Sequence, residues 1–432
     1  MVGQVAGFPY WEMAFDESGQ PANPTETGQL LAELPGQALT DLFIMSHGWN
    51  NDTQAARNLY AHFFGQIRAL IDGGQAPNTA AIGIVGVLWP AMRWADEAPP
   101  AQAGGAMAVH VRPSDATLAT DLKAMYTDPA QQQALDELAR LLATRPRDPA
   151  ALARFQQLLK PLVATPDASA APEDNGDQAM LRDDPQHLFR YFSAVATHPQ
   201  GGGAMGIGDV FGNLWDGAKE ALRAATYWEM KKRAGVVGQV GLGPLIGQLS
   251  AAQPNLRIHL VGHSFGARVV SFALSGLPDG ATGAASPVRS LFLLQGAFSH
   301  FAFASALPFD PSRGGALANM AGRVNGPLII SHTLKDTAVG TLYPMASMLA
   351  HDDAAAADDL LFRWSAMGHD GAQAVGAQDV RIGPVGQSYP FAAGQAIHIP
   401  PGLWHAVANT GDDDVVMVFG FAHPEYPPTE RR

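Results

Sequence analysis

Ser264 is the residue of this chain best placed for covalent chemistry. It stands in Val261-Gly262-His263-Ser264-Phe265-Gly266, directly behind the apolar run Leu256-Arg257-Ile258-His259-Leu260-Val261. A strand that feeds Gly-x-Ser-x-Gly and then a helix predicts a nucleophile elbow, a strained turn that presents the serine hydroxyl at the carboxyl end of a parallel strand. Glycine is required on both sides because a side chain at either place would strike the neighbouring strand or helix. Downstream, Ala267 to Leu274 reads as a buried helix carrying Val269, Val270, Phe272 and Leu274. A serine at such a junction has a second use, capping the helix through its hydroxyl. The two roles differ in what the hydroxyl bonds to.

Acyl transfer by serine needs a base to take the hydroxyl proton, an acid to orient the base, and donors for the oxyanion. The amide after the nucleophile, Phe265 N–H, is one expected donor, and the first strand-to-helix loop supplies the other. That loop is read from Asp41-Leu42-Phe43-Ile44-Met45, a buried strand that ends in Ser46-His47-Gly48-Trp49-Asn50-Asn51-Asp52. Gly48 lets the backbone turn inward, which makes Trp49 N–H the expected second donor. An ordinary tight turn is the other reading of His47-Gly48. The segment from Thr53 to Ile71 has helical spacing, with Leu59, Phe63, Ile67 and Leu70 on one face. Ile82 to Leu88 is the next strand, and strand, helix, strand in this order implies a crossover unit in a parallel sheet.

Ile44-Met45-Ser46-His47-Gly48-Trp49-Asn50-Asn51, taken with Gly262-His263-Ser264-Phe265-Gly266, resembles the α/β-hydrolase superfamily on its lipase and esterase side. The resemblance spans about residues 40 to 345 without the insertion described below. It implies an α/β fold, with a mostly parallel sheet flanked by helices and a mainly helical cap over the site. It also implies a small-molecule acyl substrate and no cofactor. In this superfamily the acid commonly follows the strand represented here by Leu328-Ile329-Ile330-Ser331-His332. Asp336, in the turn Thr333-Leu334-Lys335-Asp336-Thr337, is therefore the expected acid. Asp310 is the alternative, set far from the end of its strand. Four histidines follow Asp336: His369, His398, His405 and His423. Gln395 to Ile399 reads as a strand and Pro400 to His405 as the loop after it, which brings His405 to the catalytic edge as the expected base. His398 falls within that strand. Val415 to Phe421 would return antiparallel and carry His423 to the opposite edge, and His369, in Met367-Gly368-His369-Asp370, is the runner-up.

Between the second readable strand and the nucleophile strand the regular pattern breaks. Ala98 to Gly105 is a flexible entry, and two helices follow. One carries Leu135, Leu138, Leu141 and Leu142. The other opens at Asp148-Pro149, a cap followed by proline at the first helical position, and carries Leu152, Phe155, Leu158 and Leu159. Residues 95–212 are read as the cap insertion, flanked by the core segments 1–94 and 213–390. Apolar residues at helical spacing in the cap indicate packing first and an apolar acyl chain second. Leu214 to Gln248 reads as a long helix or a broken pair. Its glycine-rich stretch, Gly235 to Gly243, lacks the strand and the Gly-x-Gly-x-x-Gly order of a dinucleotide site.

The tail, 391–432, departs from this pattern. Gly394, Pro400, Gly402, His405 and Asn409 match the fixed positions of the second cupin motif. Cupins are small double-sheet barrels in which that histidine helps to bind a metal. The first cupin motif supplies His-x-His, which this chain lacks, and one histidine does not hold a metal tightly. No metal site is expected.

The formal charge of −13, from 27 basic and 40 acidic residues, argues against nucleic-acid or anionic-membrane partners, which require a basic face. Absence of cysteine excludes disulfides and thiolate chemistry. With no secretory signal at Met1 to Tyr10 and no apolar stretch of about 18 residues, a soluble cytoplasmic protein is expected. Oligomeric state is not legible.

Overall fold

The computed structural model of the protein describes residues 3–49, 51–74, 81–91, 122–123, 126, 128–163, 184–196, 210–334, 362–363 and 365–378. Its framework is a seven-stranded sheet of β1 (Gly3–Val5), β2 (Phe8–Ala14), β3 (Asp41–Ser46), β4 (Ile82–Leu88), β5 (Arg257–His263), β6 (Val288–Leu294) and β7 (Leu328–Ser331). The order across the sheet is β1-β2-β4-β3-β5-β6-β7. Only β1 runs antiparallel to its neighbour; the other five pairings are parallel. The chain thus moves outward in one direction from β3 to β4 and in the other from β5 to β7, so the order reverses between β3 and β5.

Helices cover both faces. On one face α2 (Thr53–Asp72) packs Tyr60 and Phe64 against Phe43, Met45, Val261 and Phe292. The opposite face meets α1 (Pro24–Glu33), α6 (Val210–Val236), α7 (Gly243–Ala252) and α8 (Phe265–Ala273) over Leu42, Ile44, Val85, Leu260 and Leu293. Alternate residues of β3 serve alternate faces, as the two-residue period of a strand requires, and all six residues of β3 are buried. Full burial of each large apolar side chain contributes about 1.5–3 kcal/mol.

In α2 the buried stripe is Ala56, Tyr60, Phe64 and Ile71, one position beyond the face expected from Leu59, Phe63, Ile67 and Leu70. Leu59, Phe63 and Ile67 flank this stripe half-buried, and Leu70 is exposed. Tyr60 decides the rotation. Its hydroxyl accepts from His47 N–H at 3.0 Å and donates to Val87 O at 2.5 Å, tying α2 to the carboxyl ends of β3 and β4.

Inside the expected cap region, α3 (Pro129–Thr144), α4 (Pro149–Val163) and α5 (Pro185–Ala196) pack against α6. The Asp148 carboxylate caps α4, accepting from Ala150 N–H at 2.9 Å. Leu135, Leu138, Leu142, Leu152, Phe155 and Leu159 all face the interior. The glycine-rich stretch joins α6 to α7 as a π-helical turn, Val237–Leu242. A side chain at Gly238 or Gly243 would meet the α8 backbone. These glycines serve close helix packing.

Candidate active site

Ser264 lies between β5 and α8 with φ 54° and ψ −120°. Positive φ is disfavoured for serine by about 1–3 kcal/mol and is held here by its surroundings. Ser264 N–H donates to Leu294 O at 3.0 Å, and Ser264 O accepts from Ala267 and Ala297 N–H, each at 3.1 Å. A methyl group on Gly262 would meet the backbone of Gly266 and Ala267, and one on Gly266 would meet Ser46 O and His47 O. Both glycines are therefore demanded by close approach, as expected. Ser264 occupies the N-cap position of α8, yet its side chain makes no capping hydrogen bond. The hydroxyl is not used to terminate the helix, and Ser264 remains partly accessible.

The loop after β3 closes against the elbow. A methyl group on Gly48 would lie 2.8 Å from Ser264 Cβ and 3.1 Å from His263 Nδ1. Phe265 N–H and Trp49 N–H, the expected oxyanion donors, thus belong to two segments in van der Waals contact. Neither amide donates to another described residue. The loop is fixed by Asn51 Nδ2, which donates to Gly48 O at 3.2 Å and Trp49 O at 3.0 Å. It is fixed again by His47, which stacks on Trp89 and whose carbonyl accepts from Trp89 Nε1 at 3.0 Å. Burial pushes the His47 imidazole down to about 4. Trp49, Tyr227 and Phe265 form an aromatic cluster with centroids 4.9–6.2 Å apart, Trp49 edge-on to the other two and Tyr227 tilted on Phe265. Burial raises the Tyr227 phenol well above its ordinary range.

Asp336, His398, His405 and His423 lie outside the described residues. Asp310 is inside them, bound within its own turn by Ser312 Oγ, which donates to Oδ1 at 2.6 Å. His369 is also described, in a short turn, α9 (Met367–Asp370). This turn is fastened to the loop after β6: Met367 N–H donates to Phe298 O at 2.9 Å and Gly368 N–H to Gly296 O at 2.8 Å. A methyl group on Gly368 would lie 2.5 Å from the Gln295 carbonyl carbon. Gln295 has φ 48° and stands one strand away from Ser264 at the same edge.

Two relays in the structure have no signature in the sequence. His300 Nδ1 meets both oxygens of Asp370 at 2.9 and 3.0 Å, across 70 residues. Its ring is fully buried beside Phe301 and Phe362, where it clasps α9 to the loop after β6. At the opposite, amino end of the sheet, His259 joins Ser290 Oγ at 2.8 Å and Asp41 Oδ1 at 2.9 Å. Although this second set has the residue types of a triad, it sits in the core. Asp41 is fully buried, paired with Arg257 at 2.7 and 2.8 Å. Burial pushes the Asp41 carboxyl up, but hydrogen bonds from His259, Arg257 and Thr40 outweigh it and hold the group below the usual carboxylate range. Burial also lowers His259, with Asp41 opposing. The set binds β3, β5 and β6 together.

A family model, the Cupin domain, matches residues 376–421, a segment that contains Gly394, Pro400, Gly402, His405 and Asn409. No curated protein and no solved structure matches the chain. Among the described residues no helix is long and apolar enough to cross a membrane, and no group of three His, Asp or Glu side chains is arranged to hold a metal ion.

Proposed function

We propose that the protein is a serine hydrolase of the α/β-hydrolase type, cleaving a carboxylic ester or related acyl bond through an acyl-enzyme. One observation carries this reading. Ser264 is held at positive φ at the carboxyl end of β5, beside the point where the strand order reverses, with its hydroxyl unused by the helix that it caps. Ligands of parallel α/β sheets bind at such reversal points. The proximity of Gly48-Trp49 to Phe265 supports an oxyanion site made of the Trp49 and Phe265 amides, with each donor worth about 3 kcal/mol in the transition state.

Ser264 Oγ attacks the substrate carbonyl while a histidine takes its proton. The C–O bond to the leaving alcohol breaks as that proton is delivered to the alkoxide. Water then repeats the sequence on the acyl-enzyme. Asp336 and a histidine that follows it in the chain complete the proposed triad. A helical cap and the Trp49 cluster favour an apolar acyl group, and no cofactor takes part. A test is hydrolysis of a series of p-nitrophenyl esters of two to twelve carbons. Turnover by the wild type, lowered about 10³-fold or more in Ser264→Ala, supports the reading, whereas equal rates in both proteins would exclude it.

The match of 376–421 to a cupin model favours one other reading, a metal-dependent activity of that segment. It requires stoichiometric metal in the purified protein and activity that survives Ser264→Ala but not His405→Ala.

A further inference from the structure

We infer that His369 is the base for Ser264, so that the acyl chemistry is complete without the cupin-matching segment. The inference rests on the reading of Ser264 as nucleophile. Its ground is a chain of short backbone contacts along the carboxyl edge of β5, β6 and β7. Ala297 N–H grips Ser264 O at 3.1 Å, Gly368 N–H grips Gly296 O at 2.8 Å, and Thr333 N–H grips Gly368 O at 3.0 Å. Gly368 is thus held between the loop that contacts the nucleophile and the segment leaving β7, with its Cα against the Gln295 backbone. Thr333 stands three residues ahead of Asp336 in the sequence. His369 follows Gly368 directly, so the turn that carries it touches both the nucleophile's loop and the strand that leads to the expected acid.

The imidazole of His369 has the character that this role needs. Its Nδ1 is enclosed and has no hydrogen-bond partner among the described residues, while the residue as a whole remains partly accessible. In a triad one ring nitrogen is oriented by a carboxylate and the other exchanges a proton with serine. An enclosed Nδ1 is shared by His263 and His332, so the placement of the turn, and not the ring alone, singles out His369; the remaining described histidines are committed or distant. His47 Nδ1 is bonded to Gly48 O, His259 lies at the amino end of the sheet, and His300 is bonded to Asp370. His62 and His187 are exposed on α2 and α5. His263 immediately precedes the nucleophile, with Nδ1 turned toward Gly48. The His332 ring lies against Gly371, whose added methyl would sit 3.1 Å from Nε2. His405 belongs to the segment 376–421 that matches a different family.

The test is the rate of fluorophosphonate labelling of full-length His369→Gln, His332→Gln and His405→Gln, each shown to be folded by circular dichroism. Labelling about 10³-fold slower in His369→Gln alone, with the other two within about twofold of wild type, is expected. Folded His369→Gln that labels at the wild-type rate, or loss confined to His405→Gln or His332→Gln, overturns the inference while leaving the serine in place. Failure of the wild type itself to label overturns the nucleophile reading instead. If His369→Gln does not fold, the wild type is treated with an aryl-alkyl chloromethyl ketone and the modified histidine is mapped. Modification of His369 supports the assignment, and modification of His405 or His332, or of no histidine, overturns it.

Discussion

At the scale of single residues, the proposed role of Ser264 draws on what its hydroxyl lacks. Ser264 has the backbone position of a helix cap but leaves the cap unmade, forgoing about 1 kcal/mol of helix stability. The adjoining glycines are constrained by the same packing. Gly48→Ala sets a methyl 2.8 Å from Ser264 Cβ and forces the Trp49 amide away from the elbow. We expect this variant to fold and to lose about 10²-fold in ester hydrolysis, measured as kcat/KM beside the wild type. Gly266→Ala, directed at the backbone of Ser46 and His47, is expected to lower stability by about 1–3 kcal/mol or more. Thermal unfolding followed by circular dichroism measures the loss.

At the scale of elements, the two ends of the sheet are specialised. The carboxyl end holds the elbow, the His47–Trp49 loop and α9; the amino end is cross-linked by Asp41, Arg257, His259 and Ser290. Asp41→Asn removes the charge that Arg257 and His259 share, so we expect about 3 kcal/mol of destabilisation in urea. The Ser264 labelling of molecules that remain folded should not change. The sign of the pH effect follows from the same groups. Asp41 titrates below its ordinary range, so its contribution is complete above about pH 3.9 and is lost as pH falls through its lower folded value. His47 is held neutral by burial, down to about 4; its contribution is complete above about pH 6.5 and is lost as pH falls to about 4. Urea midpoints at pH 7.5, 5.5 and 4 should therefore decrease in that order, and a rising midpoint would contradict the burial of His47.

How legible these elements were follows their hydrophobic patterns. β3, β4, β5, β7 and α8 were legible because their apolar runs admit one reading. β1 and β2 have no clear pattern in the sequence, since Phe8-Pro9-Tyr10-Trp11-Glu12 carries a proline, which faces only β1 at Gln4, and a glutamate, which pairs with Arg57. The face of α2 was misjudged by one residue because Tyr60 counts as half-polar in a periodicity but is fully buried through its two hydrogen bonds. The His300–Asp370 and His259–Asp41 pairs join residues 70 and 218 apart. No local spacing encodes such partners.

At the scale of the whole molecule, one chain combines a mostly parallel α/β sheet, helices on both its faces, and a segment at 376–421 that matches a cupin model. Parallel strands bring Ser264, Gln295 and His332 to one edge because β5, β6 and β7 end in register, His263 with Leu294 and Leu294 with Ser331. Serine chemistry built on that edge requires no metal, so dialysis against a chelator should leave ester hydrolysis within about twofold of the untreated rate. Loss of activity that returns with added metal would transfer the function to the cupin-matching segment. The most direct measurement of the central claim is intact-mass labelling of the purified protein with a fluorophosphonate, wild type beside Ser264→Ala. One adduct on the wild type and none on the variant is the predicted result; a well-folded wild type that takes up no adduct would contradict an activated serine at position 264.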